Sequence, residues 1–226
     1  MKSIDEIFLK LPKLFFICMV ILVLIHIGFI ILNYGFGHDY VFGLNKLFHL
    51  DLEQNFPTWF STLILLTSSL LLFIIHGIIS EIKPNKFWLF LSIIFLYLSV
   101  DEMVSLHEKL VLPLRHNLNL PSIFYFGWII AGLVFVCFIG ILSIPFLRQL
   151  PKKTSIHFVS AGAIYVFGAI GMEMVGGHVA SLQLKNTVLY MTIITIEETL
   201  EMLGIIFFNY ALVRYLQFIV RNKETY

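Results

Sequence analysis

The sequence is poor in charged residues. Only 13% of its 226 residues are Asp, Glu, Lys or Arg, whereas soluble domains carry about 25%. Hydrophobic residues make up 59% of the chain, and the mean hydropathy is +0.92. A chain with so little polar surface cannot cover itself in water, so the composition predicts an integral membrane protein with the lipid bilayer as its partner.

The sequence also has few cysteines and almost no net charge. The two cysteines, Cys18 and Cys137, both lie in apolar runs, which argues against a disulfide framework. The formal net charge is +1, so no nucleic acid is expected as a partner. Asp5 and Glu6 precede the first apolar run, and no small-residue cleavage site follows it. This pattern indicates a retained first helix rather than a signal peptide.

Long apolar runs divide the chain. A helix needs about 20 apolar residues to cross a hydrocarbon core of about 30 Å. Six runs reach this length, at about 14–34, 57–80, 86–112, 122–147, 154–177 and 187–212. Since lipid offers no partners to an open backbone, these runs must be helical. We therefore predict an all-α, polytopic membrane helix bundle with about six transmembrane helices, forming one domain over residues 1–226.

Basic residues are distributed unevenly between the two sides of this bundle. If the N-terminus is inside, eleven of the fifteen Lys and Arg fall on the cytoplasmic side. The positive-inside rule then predicts cytoplasmic N and C termini, most simply in a bacterial inner membrane. The loop at about 35–56 would lie outside. Its ionisable residues are expected to be solvated or to form a lid: His38, Asp39, His49, Asp51 and Glu53.

The most informative absence is that of positive charge beside the buried acids. Seven of the fourteen Asp and Glu lie within the predicted spans: Asp101, Glu102, Glu108, Glu173, Glu197, Glu198 and Glu201. Lys109 and Arg214 accompany them only at span edges. A carboxylate in the membrane centre costs about 2.5 kcal/mol or more. Seven cannot all stay ionised without cations or protons between them.

Helical spacing predicts which of these acids converge. In a continuous third span, Asp101, Ser105 and Glu108 share one face at i, i+4 and i+7, whereas Glu102 and His107 lie off that face. In the sixth span, Glu201 can meet Glu197 or Glu198. At about 1.5 Å per residue, the acids of the third, fifth and sixth spans reach similar depths in the outer half of the membrane.

The first interpretation of these residues is a metal site. Carboxylates and histidine projected inward from several helices can hold one or two divalent ions such as Mn, Fe, Zn, Mg or Ca. The candidate ligands are Asp101, Glu102, His107, Glu173, Glu198 and Glu201. In an enzyme, either a metal-bound water would act as the nucleophile or an oxidant would bind between two metals, and Glu197 or Glu108 would be the general base. A lipid or lipid-linked substrate would suit that depth.

Two alternatives stay open. Acids in membrane helices also mark proton and cation pathways, and hydroxyl residues of two spans offer a polar route: Ser61, Thr62, Thr67, Ser69, Thr195 and Thr199. No inverted repeat or pair of broken helices supports this transport interpretation. In the second alternative, protonated carboxyls simply join helices by hydrogen bonds, worth about 0.6 kcal/mol each.

The remaining aromatic and histidine residues suggest structural roles. Trp59, Trp88 and Trp128 are expected in the aromatic belts at the membrane surfaces. His26, inside the first span, is expected to be a hydrogen-bonded core residue rather than a ligand. His178 follows Glu173 by about a turn and a half.

Two motifs carry a resemblance. The third span contains Ser-x-Asp-Glu-x4-His-Glu, formed by Ser99, Asp101, Glu102, His107 and Glu108, and the sixth contains Glu-Glu-x2-Glu-Met, formed by Glu197, Glu198, Glu201 and Met202. Together with "NFPTWFS" they resemble a group of uncharacterised bacterial multi-pass membrane proteins, over most of the second to sixth spans. The resemblance implies a multi-pass membrane fold and brings no activity with it.

Overall fold

The computed structural model describes residues 2–80, 85–118 and 120–223, and the side chains of 10–80, 85–115 and 120–221. Every regular element in these residues is helical, which confirms the predicted all-α class. The α-helices are α1 (Lys2–Phe36), α2 (Leu44–Leu47), α3 (Phe56–Ser80), α4 (Phe87–Val104), α5 (Val111–Leu118), α6 (Trp128–Leu147), α7 (Lys152–Val166), α8 (Glu173–Ser181) and α9 (Val188–Lys223). Two 3₁₀ turns, His107–Leu110 and Ser122–Phe124, and a π-helical segment, Phe167–Met172, complete the fold.

Six stretches of helix within the described residues are long and apolar enough to cross a membrane, as predicted. They are Lys10–Phe36, Phe56–Ser80, Phe87–Val104, Trp128–Leu147, Lys152–Ser181 and Val188–Arg221. The short connections between the later spans make consecutive spans antiparallel. The cytoplasmic position of the termini stays a prediction, and Lys83, one of the basic residues counted for it, lies outside the described residues.

The sixth span, α9, is the central helix of the bundle. It packs against α1, α3, α7, α8 and the π-helical segment, and it is the most buried of the six spans. Thr187 caps its first turn, since the Thr187 hydroxyl accepts a hydrogen bond from the Tyr190 N–H at 3.2 Å. The three glutamates of this span are therefore carried by the helix that the other spans surround.

The third span differs from the continuous helix predicted over 86–112. Helix α4 ends at Val104, and Ser105 adopts a left-handed conformation with φ 52°. Its N–H closes the last turn on the Asp101 carbonyl at 2.7 Å, and a 3₁₀ turn follows from His107. The prediction that Asp101, Ser105 and Glu108 share one helical face is wrong, because a left-handed residue ends the 3.6-residue period.

The fifth span is also irregular, and it lies very close to α9. The π-helical segment Phe167–Met172 directly precedes Glu173. A Cβ at Gly168 would lie 3.0 Å from the Glu197 carbonyl oxygen, and one at Gly204 would lie 2.7 Å from the Tyr165 backbone nitrogen. These glycines let the backbones of α7, the π segment and α9 nearly touch, which sets the positions of the acids on both helices.

The end of the bundle opposite these breaks is regular and aromatic. Trp88, only 1% exposed, stacks on Tyr215 with ring centroids 5.0 Å apart and meets Phe146 edge-on at 4.8 Å. Trp88 lies in the first turn of its span, at the depth expected for a belt residue, but it faces the inside of the bundle rather than lipid. Ser69 and Ser92 join α3 to α4 here by reciprocal bonds, each hydroxyl donating to the other's carbonyl, at 2.7 and 2.9 Å.

Candidate functional site

A cavity of about 260 Å³ opens among the spans at the end where α1 and α4 finish and α3, α6 and α9 begin. All seven acids of the predicted spans line it, and His107 lines it with them. Two further acids, Asp51 and Glu53, reach it from the loop between α2 and α3. Nine carboxyl groups thus face one space, contributed by Asp51, Glu53, Asp101, Glu102, Glu108, Glu173, Glu197, Glu198 and Glu201.

His107 and Asp101 form the best-defined pair in the cavity. The His107 Nδ1 lies 2.8 Å from Asp101 Oδ2, and the His107 backbone N–H donates to Asp101 Oδ1 at 2.9 Å. Burial alone would lower the pKa of His107, but the hydrogen bond to Asp101 and the surrounding carboxylates raise it overall. The left-handed Ser105 makes this pair possible, since it turns the chain back toward the end of α4.

A second chain of contacts joins Trp128, Glu173 and Glu197. The Trp128 Nε1–H donates to Glu173 Oε1 at 3.0 Å, and the Glu173 and Glu197 carboxyl groups are hydrogen-bonded to each other. Two carboxyls can share a hydrogen bond only if one holds a proton. Trp128 was expected in an aromatic belt; it instead orients an acid of the cavity, with its ring 4.8 Å from that of His107.

Among the acids of the cavity, protein atoms enclose Glu102, Glu198 and Glu201 most completely. Glu201 lies thirteen residues into α9, or about 20 Å below the start of that helix. The Ser61 hydroxyl of α3 hydrogen-bonds to Glu102. In the part of the chain whose side chains are described, no Lys or Arg reaches this depth of the cavity lining.

The loop acids complete the cavity from the other side. Asp51 has its surface open to the cavity, yet protein atoms surround it, and this burial raises the pKa of Asp51 to about 7, with the Glu173 carboxylate adding to the effect. Burial likewise raises the pKa of Glu53. The Glu53 Oε2 atom is buried and has no hydrogen-bond partner among the described residues. Asp51 thus stays exposed, as expected of a solvated loop acid, while Glu53 is half-buried, and both line the cavity.

A pair of histidines fastens this loop. His26 of α1 is 1% exposed, and its Nδ1 accepts a hydrogen bond from the Leu50 N–H at 3.4 Å. The His49 Nδ1 accepts one from the Asp51 N–H at 3.2 Å, and the two imidazole rings meet edge-on at 4.9 Å. Burial lowers the pKa of His49, so the neutral ring, which can accept this bond, is favoured. His26 is a core histidine, as expected, and it positions the acids of the loop.

Positive charge appears only at the mouth of the cavity. Lys185, in the connection between α8 and α9, is the one Lys or Arg among the described lining residues. Its Nζ lies 5.0 Å from the Phe126 ring centroid. Arg115 covers the Tyr125 ring at 3.8 Å, and its hydrogen bond lowers the pKa of that phenol. His107, paired with Asp101, is therefore the one basic side chain inside the cavity among the described residues.

The structure brings together every residue that the sequence analysis named as a metal ligand or a general base, although their roles stay predictions. Among the residues described, no three His, Cys, Asp or Glu side chains converge closely enough to hold a metal ion. Of the hydroxyls proposed for a polar route, that of Ser61 contacts Glu102 of the cavity, whereas three others bond within their own helices. Those of Thr67, Thr195 and Thr199 donate to carbonyls of their own helices at 2.6–2.8 Å.

Sequence reasoning missed four contributors, namely Asp51, Glu53, Trp128 and Lys185. One signal for the loop acids was available, because they directly precede Asn55, whose Oδ1 caps α3 by accepting the Thr58 N–H at 3.1 Å. A loop tied to the start of a helix must lie over that end of the bundle. Spacing in the sequence contains no comparable signal for Trp128 or Lys185.

Comparison with known proteins adds a family. A domain of unknown function (DUF8692) matches residues 14–215, which include all nine carboxyl groups of the cavity, four whole spans and most of the first and sixth. The chain belongs to the DUF8692 family. No curated protein and no solved structure matches the chain. The family assignment brings no activity with it and leaves the chemistry of the cavity to be inferred from its residues.

Proposed function

We propose that the acidic cavity binds a divalent metal ion and that the protein is a metal-dependent membrane enzyme acting on a lipid or lipid-linked substrate. One observation carries the proposal: nine carboxyl groups and a single lysine line one cavity. Ionised carboxylates that line one cavity repel one another unless protons or cations lie between them. Oxygen donors with one imidazole suit Mn, Fe, Zn, Mg or Ca.

The proposed roles follow from the contacts. Glu102, His107, Glu198 and Glu201 are the first-choice ligands, because they face the inside of the cavity and are free of basic partners there. Asp101 holds His107 through Nδ1, which leaves Nε2 for an ion, as carboxylates beside metal-binding histidines commonly do. A divalent ion would supply Lewis acidity or an activated water. Glu173, which also lines the cavity, is the further ligand that we propose.

Glu197 is the proposed general base. It is 8% exposed and lies beside the Glu173 carboxyl, which Trp128 keeps in position. A carboxyl group held in position beside the reacting atoms can accept a proton, which is the task of a general base. Glu108, at the exposed rim of the cavity, is the alternative. We further propose a bacterial inner membrane with the cavity on the outer side, following the distribution of basic residues.

Metal analysis of the purified protein tests the proposal. We expect bound divalent metal in the unmodified chain, together with a rise in melting temperature on adding Mn, Zn, Mg or Ca after chelation. Both effects should be lost in Glu198→Gln and Glu201→Gln, which keep the side-chain volume. Asp39→Asn is the matched control, since Asp39 is an exposed acid outside the cavity lining. Metal-free protein that no divalent ion stabilises contradicts the proposal.

Proton- or cation-coupled transport is the second candidate. The breaks at Ser105 and in the Phe167–Met172 segment favour it, because transporters bind ions at discontinuous helices. The apolar residues that lie beside the deep part of the cavity oppose it. A pH-sensitive dye in reconstituted vesicles tests it, and absence of a flux that depends on Glu201 excludes it. If Glu198→Gln and Glu201→Gln alter only stability, the carboxyls are structural.

A further inference from the structure

A second space, an apolar groove of about 470 Å³, adjoins the acidic cavity. Residues of α4, α6, α7 and α9 form its walls. Five residues line both spaces: Leu98, Phe135, Val136, Tyr165 and Val166. A ligand in the groove would therefore lie next to the carboxyl groups.

The groove has almost no polar surface. Ser143 and Tyr165 are the only described lining residues with a polar side-chain group. The Ser143 hydroxyl donates to the Ile139 carbonyl of its own helix at 2.7 Å. A bound water needs two to four polar partners, and the groove does not offer them. The apolar lining residues of the groove therefore favour a hydrocarbon ligand over water.

The groove is open along one side, where Val159 is 54% exposed, and closed at one end. Helix α6 makes its close backbone contacts with the short segments around the cavity, so that its middle part stands away from α4. At the far end Phe146, 3% exposed, closes the gap by packing on Trp88 and Phe87 with centroids 4.8 and 4.7 Å apart. The groove follows α6 from Phe135 to Leu147, a length of about 18 Å.

Glycines keep the groove open. A Cβ added at Gly140 or at Gly162 would meet no atom within 4 Å, and both glycines line the groove. No neighbouring helix therefore requires a glycine at these two positions, in contrast to Gly168 and Gly204. Their lack of a side chain leaves room beside the backbone.

We propose that the groove holds a single unbranched hydrocarbon chain of a lipid whose polar end lies in the acidic cavity. This inference rests on the proposed function, because it names the substrate class of the same site. The surrounding bilayer supplies such chains, and an empty apolar groove would forfeit the dispersion contacts of its walls. The blind end at Phe146 limits the length of chain that can enter.

The charge of the cavity selects the polar end of that lipid. Nine carboxyl groups against Lys185 alone disfavour an anionic group and favour an amine or a hydroxyl. The chain would lie along α6 and α7, and the amine or hydroxyl would face Glu102, Glu198 and Glu201. Binding would then depend on two different surfaces, one for the chain and one for its end.

Photolabelling tests the inference on the full chain in lipid nanodiscs. The probe is a hexadecyl chain that carries a diazirine near its methyl end and terminates in a primary amine. A second probe has the same chain with a terminal carboxylate. We expect the amine probe to label groove residues such as Ile139 and Phe158 more strongly than the lipid-facing Phe73, which is 57% exposed. The carboxylate probe should label the groove less.

Two variants that fill the groove provide the decisive comparison. Gly140→Leu and Gly162→Leu should reduce the labelling of groove residues to the level at Phe73. Gly28→Leu is the control, because a Cβ at Gly28 also meets no atom within 4 Å but Gly28 lies on α1, outside the groove. The smaller Gly162→Ala, expected to give a partial loss, serves if a leucine variant fails to fold.

The outcomes separate the two proposals. Groove labelling no stronger than that at Phe73, or labelling that survives both leucine variants, overturns the inference. Equal labelling by the two probes overturns the assignment of the polar end. The metal content of the same preparations is measured independently. A protein that is labelled but free of metal would contradict only the proposed function, whereas one that binds metal without labelling would contradict only the groove.

Discussion

The two ends of the bundle differ in helix regularity and in the side chains that they bury, although the same helix, α9, runs through both. At the cavity end, Ser105 interrupts the third span and a π-helical segment interrupts the fifth, and nine carboxyl groups face a space. At the other end, regular helices pack through aromatic rings, with Phe95 on Phe208 at 4.7 Å and Phe158 on Phe208 at 4.9 Å.

This difference separates stability from chemistry. The well-packed aromatic rings at one end contribute to the stability of the fold, but they offer no reactive group. Carboxyl groups gathered at the other end repel one another, so they cost stability in the absence of a bound cation or proton. Functional sites commonly carry such a cost, which the rest of the fold must offset. The following substitutions test whether the two ends are independent in this sense.

The largest effect is expected from Trp88→Ala in the aromatic end. Removal of a fully buried tryptophan leaves a cavity and lowers the free energy of unfolding by about 3–5 kcal/mol. Thermal unfolding in detergent measures this loss. Trp59→Ala is the control, because Trp59 is 58% exposed and its loss should change stability little. Folded Trp88→Ala protein that retains its metal would support independent ends, whereas loss of metal from the folded fraction would contradict it.

Gly204→Ala tests the crossing that connects the two ends. Its Cβ would lie 2.7 Å from the Tyr165 backbone nitrogen, so α7 and α9 must move apart. We expect a loss of about 1–3 kcal/mol in unfolding free energy, together with weaker metal binding. Gly162→Ala, with open space at its Cβ, should be neutral in both measurements. An unchanged melting temperature in Gly204→Ala would mean that the crossing is less rigid than described.

Glu201→Gln should increase the free energy of unfolding, whereas the two preceding substitutions decrease it. The amide keeps the volume of the side chain and removes one of several repelling charges, so metal-free protein should gain about 1 kcal/mol in stability. Added divalent ions should then no longer raise the melting temperature. The measurement is a thermal shift with and without chelator, with Asp39→Asn as the control. A variant less stable than the parent without metal would indicate that the Glu201 carboxyl is structural.

A pH dependence through Asp51 is the smallest expected effect. Its pKa is raised from 3.8 to about 7 in the folded protein, so between these values the folded state holds a proton that the unfolded state has lost. The resulting stability is full below about pH 4 and is lost as the pH rises through 7. Because Asp51 is partly open to solvent, we expect less than about 1 kcal/mol. Melting temperatures from pH 5 to 8 should fall less steeply in Asp51→Asn than in the parent chain; equal slopes would contradict the assignment.

The sequence alone determined that this protein lies in lipid, that its fold is all-α and that its spans carry carboxyl groups. Lipid imposes a minimum apolar length on each span, and that requirement is local, so six spans could be counted from composition. The same rule marked Glu197, Glu198 and Glu201 as exceptions, because a carboxylate in an apolar run is costly wherever the helix packs.

Only the tertiary structure decided how these acids meet. The turn at Ser105 joins His107 to Asp101, the close crossing at Gly168 brings Glu173 to Glu197, and the loop after α2 adds Asp51 and Glu53. A helical period describes one helix at a time. It contains no information on a left-handed residue that ends the period, or on the distance between two helices, since both depend on contacts between residues far apart in the chain.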